Sequence, residues 1–272
     1  MSRSAGRPDI APKKHLGQHF LSDPNIRSRI VEACQLKSDD VVLEIGPGLG
    51  VLTRDIASRV QQIYAVEKDA QLCQKLQSLA ELTPNVKVIP GDILQFDLNA
   101  LPSGVKVIGN LPYYISSPIM EKILTHHLRF TDVFFTVQLE FGQRLVAKPN
   151  SRDYSALTCF AQYHAEAKIL FKISPSAFSP APKVMSCFVH LKPRDPVMKA
   201  NDADWLFRIV HHAFQQRRKK IVNALTSLWD KEQTENWLQE AGIQPGLRPE
   251  NISLNDYVHL SNVAVNQEGK EG

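Results

Sequence analysis

The sequence predicts an α/β fold: a mostly parallel sheet with an antiparallel last strand, followed by a small all-helical C-terminal domain. Three observations predict it. Short apolar runs at 41–45, 62–66, 86–90 and 105–108 alternate with helix-length segments, the pattern of parallel sheets. Each run ends in polar or glycine-rich residues of the kind that bind ligands at strand carboxyl ends. Beyond the Pro-containing stretch Lys192-Pro193-Arg194-Asp195-Pro196 the periodicity is helical only, which divides the chain into residues 1–193 and 194–272.

Residues 1–12 read as a loose polar arm, and Lys13-Lys14 precede a glycine turn and the apolar anchor Phe20-Leu21. Ser22-Asp23-Pro24 has the composition of a helix start, with Asp23 as N-cap and Pro24 in the first helical position. Ile26, Ile30, Val31 and Ala33-Cys34 follow at helical spacing. The strand at 41–45 runs into Gly46-Pro47-Gly48-Leu49-Gly50 and a helix opening at Val51. Such a turn lets a ligand approach the backbone closely, and its spacing is neither that of dinucleotide binders nor that of a phosphate loop. The strand at 62–66 ends in Glu67-Lys68-Asp69; Glu67 lies 21 residues beyond Gly46, close to the ~20 of an acid that takes ribose hydroxyls. Asp69 is placed to cap the next helix. The strand at 86–90 ends in Gly91-Asp92-Ile93. Taken singly, each of these ends has a plainer reading as a turn or a cap. Four in succession along one sheet edge predict a site.

The fourth strand ends in Gly109-Asn110-Leu111-Pro112-Tyr113-Tyr114. Asn110 brings an acceptor oxygen and two donor hydrogens. Pro112 fixes φ and sets the direction of the carbonyls, and Tyr113 supplies a rigid aromatic face. Together they suit a flat, amine-bearing ring: the aromatic stacks on it and carbonyl oxygens take the amine hydrogens.

Further on, 116–128 reads as a helix, 132–137 as a strand, 141–147 and 154–163 as helices, and 167–173 with 184–191 as a closing antiparallel pair. The Pro-rich loop 176–183 is expected to hold no regular structure; its Phe178 reads either as an exposed ring that covers the site edge or as a loop anchor. Helices are expected at 204–213, 235–241 and 254–263. A further one is entered through the four consecutive cations Arg217, Arg218, Lys219 and Lys220. Four cations at a helix start repel one another and oppose the dipole, which suggests a phosphate partner. Residues 266–272 read as a disordered tail.

The net charge of +4 is mild, so the location of charge matters more than its total. No apolar run reaches membrane-spanning length, and the polar N-terminus lacks a signal-peptide core. Cys34, Cys73, Cys159 and Cys187 are far apart, which argues against structural zinc and a disulfide framework and fits a reducing cytoplasm. No metal-binding pattern stands out.

The motifs Glu44-Ile45-Gly46-Pro47-Gly48-Leu49-Gly50, Glu67, Gly91-Asp92, Gly109-Asn110-Leu111-Pro112-Tyr113 and Phe178-Ser179-Pro180-Ala181-Pro182-Lys183-Val184 occur in that order. In this the chain resembles the ribosomal-RNA adenine N6-dimethyltransferases. Residues 13–21 and 214–220 are similar to the bacterial small-subunit branch. The resemblance, from about Lys13 to Val263, implies a Rossmann-like class I S-adenosylmethionine-dependent methyltransferase sheet. It further implies S-adenosyl-L-methionine as cofactor and 16S rRNA in the assembling small ribosomal subunit as partner. The enzyme would be a cytoplasmic monomer that dimethylates N6 of two adjacent adenosines in a hairpin loop near the 3′ end. Carried over, His19, Leu21, Gly46, Gly48, Glu67, Asp92, Ile93 and Asn110 would line the cofactor site. Asn110, Pro112 and Tyr113 would hold the target base, with Phe178 as a second stacking ring. Lys13, Lys14 and Arg217 to Lys220 would grip RNA phosphates. His19 and Tyr114 stand where the bacterial branch often has Asn.

The resemblance also implies a mechanism. Acceptors on the amine hydrogens, Asn110 Oδ1 and the Pro112 carbonyl, favour a pyramidal nitrogen and stabilise the positive charge that develops on it. No general base is needed, because a methylated aminium loses its proton to water. Other readings stay open: methylation of large-subunit rRNA, DNA or a glutamine amide, or an assembly-binding factor with secondary catalysis. A zinc deaminase is excluded, since no His-x-Glu with Pro-Cys-x-x-Cys is present.

Overall fold

The computed structural model describes residues 17–81 and 83–268, so Lys13, Lys14, the polar arm and the last residues of the expected tail lie outside it. The chain divides into two compact units, Met1–Gly142 with Ile169–Pro193, and Gln143–Lys168 with Arg194–Gly272.

In chain order the first stretch runs β1 (Phe20–Leu21), α1 (Pro24–Ala33), β2 (Val41–Ile45), α2 (Val51–Ala57), β3 (Gln62–Glu67), α3 (Ala70–Glu81), β4 (Val86–Pro90), β5 (Val105–Asn110), α4 (Ser116–Thr125) and β6 (Phe130–Gln138). Asp23 caps α1 as expected, accepting from the N–H groups of Asn25 and Ile26. Then follow α5 (Leu139–Leu145), α6 (Ala156–His164), β7 (Ala165–Ile173), β8 (Phe178–Ser179) and β9 (Ser186–Pro193). The seven-stranded sheet has the order β4-β3-β2-β5-β6-β9-β7. Strands β2 to β6 pair in parallel, and β9 runs antiparallel to β6. The expected mostly parallel α/β sheet with an antiparallel closing strand is therefore present.

The sequence order reverses at β2, which lies between β3 and β5. Ligands of open α/β sheets bind in the crevice outside the strand ends at such a point. The central strands are apolar on both faces, as helix-covered parallel strands are: Val42, Leu43, Ile63, Ala65, Val105 and Val107 are fully buried. Lys106 interrupts this run yet is itself buried. Its Nζ forms a 2.8 Å ion pair with Asp40 and donates to the carbonyls of Cys34 and Gln35.

The Pro-rich loop departs from expectation. Phe178 and Ser179 form β8, which pairs antiparallel with β1 in the register Phe20↔Ser179 and Leu21↔Phe178. A residue before proline is held extended, a conformation ready for strand pairing. Phe178 is buried in the apolar cluster with Leu21, Phe171 and Phe188, so of its two readings the anchor holds and the exposed ring at the site edge is corrected.

The second unit contains α6 with α7 (Ala203–Gln215), α8 (Ile221–Ala224), α9 (Lys231–Glu240) and α10 (Leu254–Glu268). Its core unites Tyr154, Cys159 and Tyr163 with Leu206, Ile209, Trp229, Trp237 and Tyr257. The α6 region therefore packs with the C-terminal helices, although the sequence reading placed everything before residue 194 with the sheet. The helical α10 also takes in residues 266–268, the start of the expected tail. The four cations occupy the turn between α7 and α8 rather than a helix start, which relieves the expected conflict with the dipole.

Candidate active site

The carboxyl ends of β2, β3, β4 and β5 open onto one pocket of about 1050 Å³, solvent-filled mouth included. His19, Leu21, Gly46, Gly48, Glu67, Asp92, Ile93, Asn110, Pro112 and Tyr113 all line it, as do Glu44, Lys68 and Tyr114. Parallel pairing in register is the cause. Ile45 lies opposite both Val66 and Gly109, so the residues after each strand reach the same level.

After β2, Gly46, Gly48 and Gly50 all have positive φ (64°, 59° and 72°), which side-chain-bearing residues rarely adopt. A Cβ on Gly46 would meet nothing within 4 Å, so the turn leaves open space beside the backbone. At the end of β3, Glu67 is buried, and its two oxygens accept from the N–H groups of Asp69 (2.9 Å) and Gly48 (3.1 Å). Burial pushes its carboxyl above the usual range, opposed by those backbone bonds. Each oxygen keeps a lone pair for a further donor such as a ribose hydroxyl. After β4, Asp92 accepts from Leu94 N–H through Oδ1 and from Lys68 Nζ (2.8 Å) through Oδ2. The lysine contact holds this carboxyl below its ordinary value. A cradle of open backbone flanked by two acidic strand ends fits a nucleoside-bearing ligand.

At the end of β5 the Asn110 side chain donates through Nδ2 to the His19 carbonyl at 2.9 Å. A carbonyl takes only a donor, so this contact orients the amide and leaves Oδ1 as an acceptor. The Pro112 carbonyl is already engaged by Ile115 N–H (3.1 Å) and the Ser116 hydroxyl (3.1 Å). Of the two, the hydroxyl is the one that rotates away freely. His19 donates from Nδ1 to the Pro180 carbonyl at 2.7 Å and stacks on Tyr113, ring centroids 5.5 Å apart. Tyr113 is half-buried, and its hydroxyl shares a 2.6 Å hydrogen bond with the fully buried Ser186 at the start of β9. Burial raises the Tyr113 phenol, opposed by that bond.

Phe178 does not line this pocket. Sequence reasoning missed Ser186; its only signal is a polar residue directly before the apolar run Cys187-Phe188-Val189. Tyr114 is 56% exposed and packs against Gly17, where a Cβ would come within 3.1 Å of its ring. In the second unit Arg217 lies 3.5 Å from Glu250 and donates to the Ser151 carbonyl, so its cation is committed. Arg218, Lys219 and Lys220 are exposed.

The family model described as ribosomal RNA adenine dimethylase matches residues 11–266. The chain belongs to that family. It is similar to the ribosomal RNA small subunit methyltransferase A of Moorella thermoacetica, 38% identical over 93% of this chain and 92% of the relative. Among solved structures, a dimethyladenosine transferase from Plasmodium falciparum superposes with a TM-score of 0.77 at 25% identity, covering 92% of this chain and 98% of that one. The 23S rRNA methyltransferase ErmE does so at 0.69 and 27%, covering 90% and 98%. Membership accounts for the class I methyltransferase sheet and for the pocket at its switch point. Among the described residues no helix is long and apolar enough to cross a membrane.

Proposed function

We propose that this protein transfers methyl groups from S-adenosyl-L-methionine to N6 of two adjacent adenosines in the hairpin loop near the 3′ end of 16S rRNA. It would act as a cytoplasmic monomer on the assembling small subunit. The observation that carries the reading is Asn110. Its amide is turned by the His19 carbonyl so that Oδ1 stands as an acceptor beside a ring-bearing Tyr113, itself held by Ser186. Small-subunit rather than large-subunit rRNA is favoured by the relative at 38% identity, because the likeness to ErmE is weaker.

Glu67 holds the ribose hydroxyls of the cofactor, Asp92 and Ile93 its adenine, and His19, Leu21 and the Gly46–Gly48 turn its methionine part. The bound cofactor supplies an electrophilic methyl group. Tyr113 takes an adenine withdrawn from its stack, as base-modifying enzymes require. It does so without Phe178, whose ring is buried. Asn110 Oδ1 accepts one amine hydrogen. The Pro112 carbonyl takes the other when the Ser116 hydroxyl turns away. These carbonyls favour a pyramidal nitrogen and lie where its positive charge develops, a preorganised electrostatic contribution. Holding both partners in line supplies much of the rest. The proton leaves to water. Arg218, Lys219 and Lys220, with Lys13 and Lys14, grip RNA phosphates.

Labelled methyl transfer to small subunits that lack the modification tests this reading. Primer extension is expected to stop at two adjacent adenines. Label in large-subunit rRNA, or on any other base, refutes the substrate assignment.

A further inference from the structure

One acidic group in the pocket has no part in the chemistry above. Glu44, near the end of β2, is 2% exposed and lines the pocket, and its Oε2 has no hydrogen-bond partner among the described residues. A buried carboxylate with an oxygen left unpartnered and no cation beside it is costly, and its neighbours Val42, Leu43 and Ile45 show what fills this strand without that cost.

The other charged groups on the pocket wall are accounted for. Lys68 pairs with Asp92 at 2.8 Å, and each oxygen of Glu67 accepts a backbone N–H. His19 holds the Pro180 carbonyl. Around Glu44, β3 brings Glu67, whose like charge disfavours ionisation, α2 brings the opposing Thr53 hydroxyl, and β5 brings the uncharged Asn110 to the same wall. Burial is the largest influence and pushes the Glu44 carboxyl up to about 7. The lining thus carries three carboxylates against one lysine, and the lysine is committed to Asp92. Such a site favours a cation.

We propose that Glu44 is the counter-charge for the cationic sulfur of the methyl donor, and that through it the pocket prefers the donor over the neutral thioether left after transfer. The inference rests on the cofactor reading above. In the transfer the carbon–sulfur bond breaks, sulfur keeps the electron pair, and the carbon bonds to the adenine nitrogen, whose proton goes to water. Sulfur then has no charge to offer Glu44. The carboxyl is left buried without a counter-charge, takes up a proton from solvent, and the product is held less tightly.

Isothermal titration calorimetry of the full chain at pH 7, in two buffers of different ionisation enthalpy, tests this with S-adenosylmethionine and S-adenosylhomocysteine. The wild type is expected to release about half a proton on binding the donor, because a group with a pKa of about 7 is half protonated there, and none from this source with the thioether. Glu44→Gln keeps the shape and removes the charge. It is expected to lower the donor-to-thioether affinity ratio by about tenfold, mainly by weakening the donor, and to abolish the donor-specific proton release. Equal weakening of both ligands, an unchanged ratio, or equal proton release with both in the wild type overturns the proposal. The wild-type proton count needs no variant, so it decides the matter even if Glu44→Gln fails to fold. Failure of the wild type to bind either ligand refutes the cofactor reading itself.

Discussion

Ser186→Ala probes how Tyr113 is held. The substitution deletes one side of a 2.6 Å hydroxyl pair whose Ser186 member is fully buried at the start of β9. A net hydrogen bond contributes about 1 kcal/mol, and a buried hydroxyl left alone costs about 1–3 kcal/mol. Tyr113 is half-buried rather than enclosed, so the lower figure is taken. A stability loss of about 1 kcal/mol follows, a melting shift of roughly 2–4 °C for a chain of this size. The freed ring must be re-ordered over the base, at a cost of about 0.5–1.5 kcal/mol. Since 1.36 kcal/mol is tenfold in rate, kcat is expected to fall about twofold to just over tenfold. Single-turnover methyl transfer and thermal melts of Ser186→Ala, Tyr113→Phe and the double variant measure both effects. The two single variants remove the same bond, so the double variant should be scarcely worse than either. Strictly additive losses, or a melting shift with kcat untouched, would refute the idea that Ser186 acts through Tyr113.

Four further outcomes follow from the same geometry. Asn110→Ala should reduce transfer by about 10²–10³ while cofactor affinity, read by calorimetry, changes far less, because the Oδ1 contact matters most in the transition state. Lys106→Ala takes the cation from the part-buried Asp40, which keeps the Lys37 N–H, and leaves the Cys34 and Gln35 carbonyls without that donor; it should cost about 1–3 kcal/mol in urea unfolding, whereas Lys106→Met with Asp40→Leu should recover most of it. Asp92 has its carboxyl lowered by Lys68, so its contribution is present above the ordinary carboxylate range and is lost as pH falls below about 4. The melting difference between wild type and Asp92→Asn should accordingly hold from pH 8 to 5 and shrink progressively as pH falls below about 4. Glu44 is raised to about 7, so its protonated form favours folding below its ordinary 4.5, and that contribution is lost as pH rises through about 7. Glu44→Gln should therefore be more stable than wild type at pH 8, by about 3 kcal/mol from the shift alone, with the gap closing toward pH 4.5 in chemical unfolding.

Chain order and periodicity by themselves determined the alternating sheet, the capped start of α1, and the set of strand ends that meet at the pocket. Once strands pair in parallel and in register, every carboxyl end must emerge on one edge, so Gly46, Glu67, Asp92 and Asn110 are brought together by local pattern alone. What the tertiary structure decided are contacts between residues far apart in sequence, which leave no local period. Ser186 reaches Tyr113 across 73 residues because β9 pairs antiparallel with β6, and Lys106 reaches Asp40 across 66. Phe178 is buried because β8 finds β1, and α6 belongs to the helical unit because its apolar face completes that core. Arg217 is committed because Glu250 folds back beside it. In each case burial and charge pairing act through space, and only the folded chain specifies which side chains share that space.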